Sequence, residues 1–588
     1  MKTKIWKKFS RKNLALIASS GVLIFVYQNC SRGFQTIENM SDFSSIAGSL
    51  QMQVGAFQKN PFTCASADVQ SANSTQRMTR VQYANNLKNL IGAQAYPQFD
   101  SAVNTLYSDI LKKTVGDFSN TISDTQMTAY QMIAESVYVY LKANVSVLQQ
   151  LGGTCSQTTP LASICRDAFI QKIGLLAFHR PLTASEVQSW ATNVFALGTD
   201  TNDSMAATIY AMMLAPDFLL HIEVGDGTSA DTNTFNLTPY EVAARLSYGL
   251  MDAPPDQDLL DAAAAGQLST SAQIEAQVDR ILQTQPARDK INNFFTFWLD
   301  PRRYPAGDFG TDFLQGVDVA ATNDEYAREL TEYVDYVVFT KKGTFQDLIT
   351  GAESFARTPT VASIYGHAVV TGTSPATMAP QRKGLFMRGS VIATDGNETH
   401  PILRGVKFRS RFLCQSLGIP SGINTNDPTF FSDTARAHYS TRDRTAGITA
   451  GQSCMGCHSS INPVGFAFEN FDSLGRVRPF ESAYSSAGVL LATYPIKTDS
   501  PGVSLGGNTT VPVHDGLDIV DSMMKENVLP GCFVRQVSRF YRIQVENQDD
   551  SCLLGSVYNK GILNPTASVL EVFRQQFLGP SLFKRRLN

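Results

Sequence analysis

Thr238-Pro239-Tyr240-Glu241-Val242-Ala243-Ala244-Arg245-Leu246-Ser247-Tyr248-Gly249-Leu250 announces a helix in its opening residues. A threonine caps the first backbone N–H groups, a proline suits the first helical position, and the glutamate three residues past the cap reaches back to it. Val242, Leu246 and Leu250 then recur at helical spacing, and Pro254-Pro255 ends the run. The same start signal stands at Thr183-Ala184-Ser185-Glu186 and at Thr79-Arg80-Val81-Gln82. The latter predicts a helix to Gly92 with Tyr83, Leu87, Leu90 and Ile91 on its buried side. Apolar residues at three-and-four spacing over 274–282, 291–299, 325–339, 517–541 and 567–577 predict further helices. Residues 357–380 and 418–450 read as loop, and 484–513, with a β-prone run over 489–494, as one small hairpin. The expected fold is mainly α, a series of helical modules with minor β-hairpin content.

At 588 residues the chain exceeds what one hydrophobic core usually serves. Its 43% hydrophobic and 10% aromatic content suits globular folding. The net charge of −3, without a long run of one sign past residue 12, excludes a nucleic-acid footprint.

The first thirty residues differ in kind. Lys2, Lys4, Lys7, Lys8, Arg11 and Lys12 form a basic head before an apolar stretch from Leu14 to Tyr27. As a helix that stretch reaches only about 21 Å, short of a ~30 Å hydrocarbon core. It therefore reads as an export signal rather than a spanning helix. Its end at Gln28-Asn29-Cys30 resembles a bacterial lipoprotein signal, which implies Cys30 as the lipidated first mature residue, although Asn29 departs from the usual small residue there. Simple cleavage and an uncleaved anchor are the other readings. Export permits disulfides. Cys155 and Cys165 bracket one short loop and Cys532 and Cys552 another, so each is an expected pair; Cys64 and Cys414 are left open.

The sharpest signal is Cys454-Met455-Gly456-Cys457-His458. Two thiols so spaced can add to the two vinyl groups of one haem, and the adjacent histidine then lies under the iron. Chance would place this pattern in such a chain roughly 0.002 times. A zinc site or a redox dithiol are the rival chemistries. Zinc would need a fourth ligand, for which no second Cys/His pair of matching spacing exists, and a thioredoxin-like dithiol would need a βαβ context that is absent here.

The stretch from Cys454 through Ser459-Ser460-Ile461-Asn462-Pro463-Val464-Gly465-Phe466 to Asp472-Ser473-Leu474-Gly475-Arg476-Val477-Arg478 resembles the haem-site module of the planctomycete-type cytochrome c-domain proteins. Residues 77–92, 177–186 and 237–248 resemble that family's first three helical modules in order. Arg382 to Leu385, Pro401 to Gly405 and on to Cys414 resembles the segment leading into the haem site, and Cys532 to Cys552 the C-terminal module. His179 stands where the family usually has arginine, and His400 where serine is common. The implied organisation is a signal (1–30), a tether (31–73), helical modules at 74–150, 151–225 and 232–356, a cytochrome c-like haem-site module at 378–480 and a C-terminal helical module at 505–588.

A haem gives neighbouring residues candidate roles. A turn at Asn462-Pro463 is expected to bring a backbone carbonyl to the free N–H of His458. Arg476 and Arg478 are candidates for the propionates, with a solvated basic turn as the alternative. Glu469 and Asp472 read as caps or arginine partners rather than as an acid–base pair. Met523 and Met524 on an expected helix, or His514 or His400, are candidates for the second axial position, an open site being the alternative. The expected protein is an exported, membrane-anchored monohaem c-type protein passing electrons to an envelope partner, rather than an enzyme. A binding or scaffold lipoprotein with an accessory haem, and a haem enzyme with an open iron site, are the other classes. No nucleophile elbow, phosphate loop or metalloprotease helix supports a hydrolase.

Overall fold

A computed structural model describes residues 61–64, 75–106, 122–153, 161–231, 234–415, 417, 432–506 and 510–586. The protein is mainly helical with a few short antiparallel strand pairs. The export signal, Cys30, most of the tether and Cys155 lie outside the described residues. Among the described residues no helix is long and apolar enough to cross a membrane. Two units interleave in sequence. A central unit holds Pro301–Tyr333 and Ile349–Cys532; a flanking unit holds Phe62–Asp300, Val334–Leu348 and Phe533–Asn588.

In the flanking unit the helix starts behave as their sequences require. Thr79 with Gln82, Thr183 with Glu186 and Thr238 with Glu241 each close a reciprocal capping box at the heads of helices Arg80–Ile91, Ala184–Asn193 and Pro239–Met251. Ser123 with Gln126 does the same for Asp124–Ala143. Tyr83, Leu87, Leu90 and Ile91 are all buried, in one core with Tyr130, Ile133, Phe169, Ile173, Met205 and Ile209. A second aromatic cluster joins Phe294 and Trp298 of helix Gln285–Leu299 to Phe533 and Phe573. Strand Thr75–Arg77 pairs antiparallel with Leu220–Ile222, and this register sets Gln76 opposite His221.

In the central unit, residues read as loop prove partly helical. Thr358 caps a short helix Pro359–Tyr365 that stops at Gly366, whose left-handed φ of 79° a glycine adopts without strain. Helices Asp433–His438 and Thr441–Ile448 occupy a region too polar for an apolar periodicity to show, each capped by a serine. The expected single hairpin is two: Phe480–Tyr484 with Leu490–Pro495, and Ser500–Ser504 with Thr510–Val513.

The disulfides correct one expectation. Cys532 pairs with Cys414 in the central unit and Cys552 with Cys64 in the flanking unit, instead of with each other. Cys532 lies inside helix Val528–Arg542, whose remaining turns carry the chain about 15 Å onward before Cys552 is reached. Short spacing in sequence is therefore no guide to the Cα approach of roughly 4.4–6.8 Å that a disulfide needs. Cys165 is also disulfide-bonded.

Candidate functional site

Cys454, Cys457 and His458 sit on one helix, Gln452–Phe466. Positions i, i+3 and i+4 of an α-helix fall on one face, so both sulfurs and the imidazole share a stripe. All three residues are half-buried, and neither cysteine is in a disulfide.

The expected turn at Asn462-Pro463 does not form, and the helix runs through Pro463 to Phe466. Interior proline costs a helix about 3 kcal/mol, because it lacks the N–H that would bond Ser459. Close packing against helix Pro401–Lys407 offsets that cost. A Cβ added at Gly465 would sit 1.9 Å from the Pro401 carbonyl oxygen, and one at Gly405 2.3 Å from that of Ile461. Only glycine allows backbones this close. Because the helix continues, the partner of His458 is a side chain one turn on, not a backbone carbonyl: Nδ1 lies 3.0 Å from Asn462 Oδ1.

This contact assigns the tautomer. Thr449 donates its hydroxyl to the Thr445 carbonyl at 2.7 Å, so its oxygen accepts from Asn462 Nδ2 at 2.8 Å. Asn462 Oδ1 is then an acceptor, and His458 must donate through Nδ1–H. Nε2 keeps its lone pair and makes no hydrogen bond to a described residue. Asn462 and Thr449 are both buried, which fixes the ring's setting.

Behind the helix, buried arginines tie down the turn that follows it. Arg404 donates to the carbonyls of Ile392 (3.0 Å), Phe468 (3.0 Å), Phe471 (3.1 Å) and Asp472 (2.9 Å), and pairs with Glu469 at 3.2 Å. Arg382 donates to the Met387 carbonyl at 2.8 Å and to that of Gly475, over the ring of Phe471. Arg409 reaches the Ser460 carbonyl at 2.7 Å. Burial pushes the pKa of Arg404, Arg382 and Arg409 down from the usual guanidinium value, for Arg409 to about 10.

The two arginines proposed for propionates already have carboxylate partners. Arg476 pairs with Asp472 at 2.6 Å, and Arg478 with Glu469 at 3.2 Å. Glu469 and Asp472 are thus arginine partners, as their context suggested. Of the candidates for the second axial position, Met523 and Met524 are both buried in helix Gly516–Lys525, His514 is exposed, and His400 faces Asp395 at 3.2 Å.

Among the described residues no group of three or more His, Cys, Asp or Glu side chains is gathered to hold a metal ion. The donor set nonetheless fits a c-type haem: two thiols and a histidine on one helical face, the ring's Nδ1–H engaged and its Nε2 lone pair available.

Sequence reasoning missed a second constellation, in the flanking unit. His179 and His221 lie in the wall of a cavity of about 510 Å³ with Tyr248 between them, ring centroids 5.5 and 4.4 Å away. The sequence marks His179 only as a departure from arginine, and the strand pairing that brings His221 beside helix Arg80–Ile91 leaves no local trace in it.

Residues 237–367 match the family model PSD4, a protein of unknown function (DUF1592), and residues 382–481 match PSCyt3, a protein of unknown function (DUF1588). Both are planctomycete-type cytochrome c-related domains, and the second spans Cys454, Cys457 and His458. No curated protein and no solved structure matches the chain.

Proposed function

We propose that this protein is an exported lipoprotein, anchored to the membrane through Cys30, that carries one covalent haem c and passes electrons at the cell envelope. The observation that carries this reading is the single helical face of Cys454, Cys457 and His458 with Nδ1–H held by Asn462. Cys454 and Cys457 would form the thioether links, and His458 Nε2 would be the proximal ligand. When bound, the haem supplies a one-electron couple. The chain's own part is to present the thiols on a half-buried face, to hold the imidazole in the ligating tautomer and to keep its helix rigid. Met523, Met524 and His514 remain the proposed sources of a second axial ligand.

The cytochrome c-related character of the two matched domains supports the same reading. Periplasmic expression with cytochrome c maturation, followed by denaturing electrophoresis and haem-peroxidase staining, tests it. Colour at the size of the mature chain is the expected result. An unstained band, or zinc in place of iron by metal analysis, would overturn it. Mass spectrometry of the native N-terminus should find lipid on Cys30, and a mature chain beginning elsewhere would remove the anchor.

A further inference from the structure

The cavity in the flanking unit holds two histidines that the electron-transfer reading does not use. Their hydrogen bonds assign both tautomers. Gln82 Oε1 accepts the Thr79 backbone N–H at 3.0 Å, and Gln82 Nε2 donates to Asp252 at 3.0 Å, so Oε1 is an acceptor. His221 Nε2, 3.0 Å from that oxygen, must carry the proton. Asn86 Nδ2 donates to the Phe218 carbonyl at 3.4 Å, which makes Asn86 Oδ1 the acceptor 3.0 Å from His179 Nε2. His179 is therefore also the Nε2–H tautomer. The Tyr248 oxygen, 3.2 Å from the same Nε2, shares that proton as a second acceptor, which leaves its own O–H to donate.

Nδ1 of both rings thus bears a lone pair, and neither has a hydrogen-bond partner among the described residues. Burial depresses both pKa values, His179 to about 3 and His221 to about 4, so the rings stay neutral acceptors at physiological pH. In the same wall the Tyr541 hydroxyl and Gln576 Oε1 are buried without a partner. Native interiors rarely leave such groups unpaired, and each costs about 1–3 kcal/mol.

The wall's charges cancel. Four arginines and four carboxylates line the cavity, namely Arg180, Arg245, Arg542 and Arg585 with Glu186, Asp217, Glu223 and Glu241. Arg180 pairs with Glu186 at 2.9 Å and Arg245 with Glu223 at 2.5 Å, while Arg542 pairs with Asp550. The lining thus carries no net charge, while Arg585, which donates to the Glu223 backbone carbonyl, keeps a buried Nε–H without a partner as one more donor for a ligand oxygen. The apolar wall is aromatic, with Phe178, Tyr248, Tyr541 and Phe577, and the volume exceeds that of one ring. Sites of about 300–1,000 Å³ with apolar walls and a few convergent polar groups are the usual form of small-molecule pockets.

We propose that this cavity binds an uncharged phenolic molecule with an apolar substituent, its hydroxyl protons donated to Nδ1 of His179 and His221. The site does not depend on the haem and is tested apart from it. The full chain, labelled with ¹⁵N-histidine, is titrated with 4-hexylresorcinol while the ring nitrogens are followed by NMR. Before addition both rings should show the Nε2–H tautomer; on addition their Nδ1 resonances should move as hydrogen-bonded acceptors do. The dimethyl ether of the same molecule, which lacks the donors, should bind at least roughly tenfold more weakly, since each lost hydrogen bond leaves a buried acceptor unmet. His221→Phe should weaken 4-hexylresorcinol by a similar factor and leave the ether unaffected. Equal binding of ether and phenol would reduce the cavity to an apolar hole. No binding, or Nδ1–H tautomers in the native chain, would overturn the proposal without recourse to any variant.

Discussion

His458 in the central unit and the pair His179 and His221 in the flanking unit are set by the same device and left in opposite states. In each case a side-chain amide, itself oriented by a neighbour of known polarity, decides which ring nitrogen holds the proton. Asn462 takes the Nδ1 proton of His458, so that ring offers Nε2; Asn86 and Gln82 take the Nε2 protons of the other two, so those rings offer Nδ1. Nε2 is the nitrogen farther from the backbone, which suits a ligand reaching out from a half-buried helix face. Nδ1 lies nearer the main chain, which suits a lone pair kept at a cavity wall. The lesson is that an imidazole's role is written in its second neighbour.

The comparison breaks most sharply at the thiols. Cys454→Ala with Cys457→Ala should abolish covalent haem outright, read as complete loss of peroxidase stain from the chain. His179→Phe should leave the stain untouched. Next in size is Arg404→Ala, which strips a buried carboxylate and four carbonyls of their common partner. Removing one member of a buried ion pair typically destabilises by about 3–5 kcal/mol, and chemical denaturation of the variant should show a loss of that order. A loss below about 1 kcal/mol would mean that the end of the haem-motif helix is held by something else. Cleaving the Cys414–Cys532 link by Cys414→Ser should cost about 2–5 kcal/mol, and non-reducing peptide mapping of the native chain should recover it together with Cys64–Cys552.

Acid acts on the two flanking-unit histidines with a smaller but signed effect. Burial lowers the pKa of His179 to about 3 and of His221 to about 4, below the ~6.5 of an unfolded histidine. Below pH ~6.5 the unfolded chain binds protons that the folded chain refuses, so stability falls as pH falls. Each ring should remove about 1.4 kcal/mol per pH unit until its folded pKa is reached. Denaturation between pH 6.5 and pH 5, above the carboxylate range, should show this slope, and His221→Leu should remove one ring's share. A flat profile there would mean that these rings are solvated.

Much of the fold was legible because capping is local chemistry. Thr79, Thr183 and Thr238 each lie within three residues of the partner that completes the box, and the apolar stripe behind Thr79 points where its spacing says. That Cys454, Cys457 and His458 share one helical face is legible for the same reason, the three lying within two helical turns. What stayed hidden depends on distant partners. The fate of Pro463 was decided by Gly405, whose close approach is a tertiary fact, and the partners of Cys532 and Cys552 by residues more than a hundred positions away. The lining of the second cavity draws on Gln76, His179, His221, Tyr248 and Tyr541, and no local rule joins them.

The smallest predicted effect bears on the mechanism most directly. Asn462→Leu keeps the side chain's bulk but removes the acceptor of the His458 Nδ1–H. Haem attachment needs only Cys454, Cys457 and an adjacent imidazole, so the variant should stain as the parent does. In the proposed haem-bound chain the ring would lose the partner that makes it a stronger donor to iron, and ferric iron, which draws more on that donation, would be disfavoured relative to ferrous. A hydrogen bond is worth about 0.5–1.5 kcal/mol, which for a one-electron couple corresponds to a rise in potential of roughly 20–60 mV. In the haem-free chain the same substitution should free the imidazole to exchange tautomers, visible as averaging of the His458 ¹⁵N shifts. Thr449→Val, which removes the acceptor of Asn462 Nδ2 and lets the amide flip, should give a weaker version of both changes. An unchanged potential together with an unchanged tautomer in Asn462→Leu would show that the peptide framework alone sets the ring, and the parallel with His179 and His221 would end there.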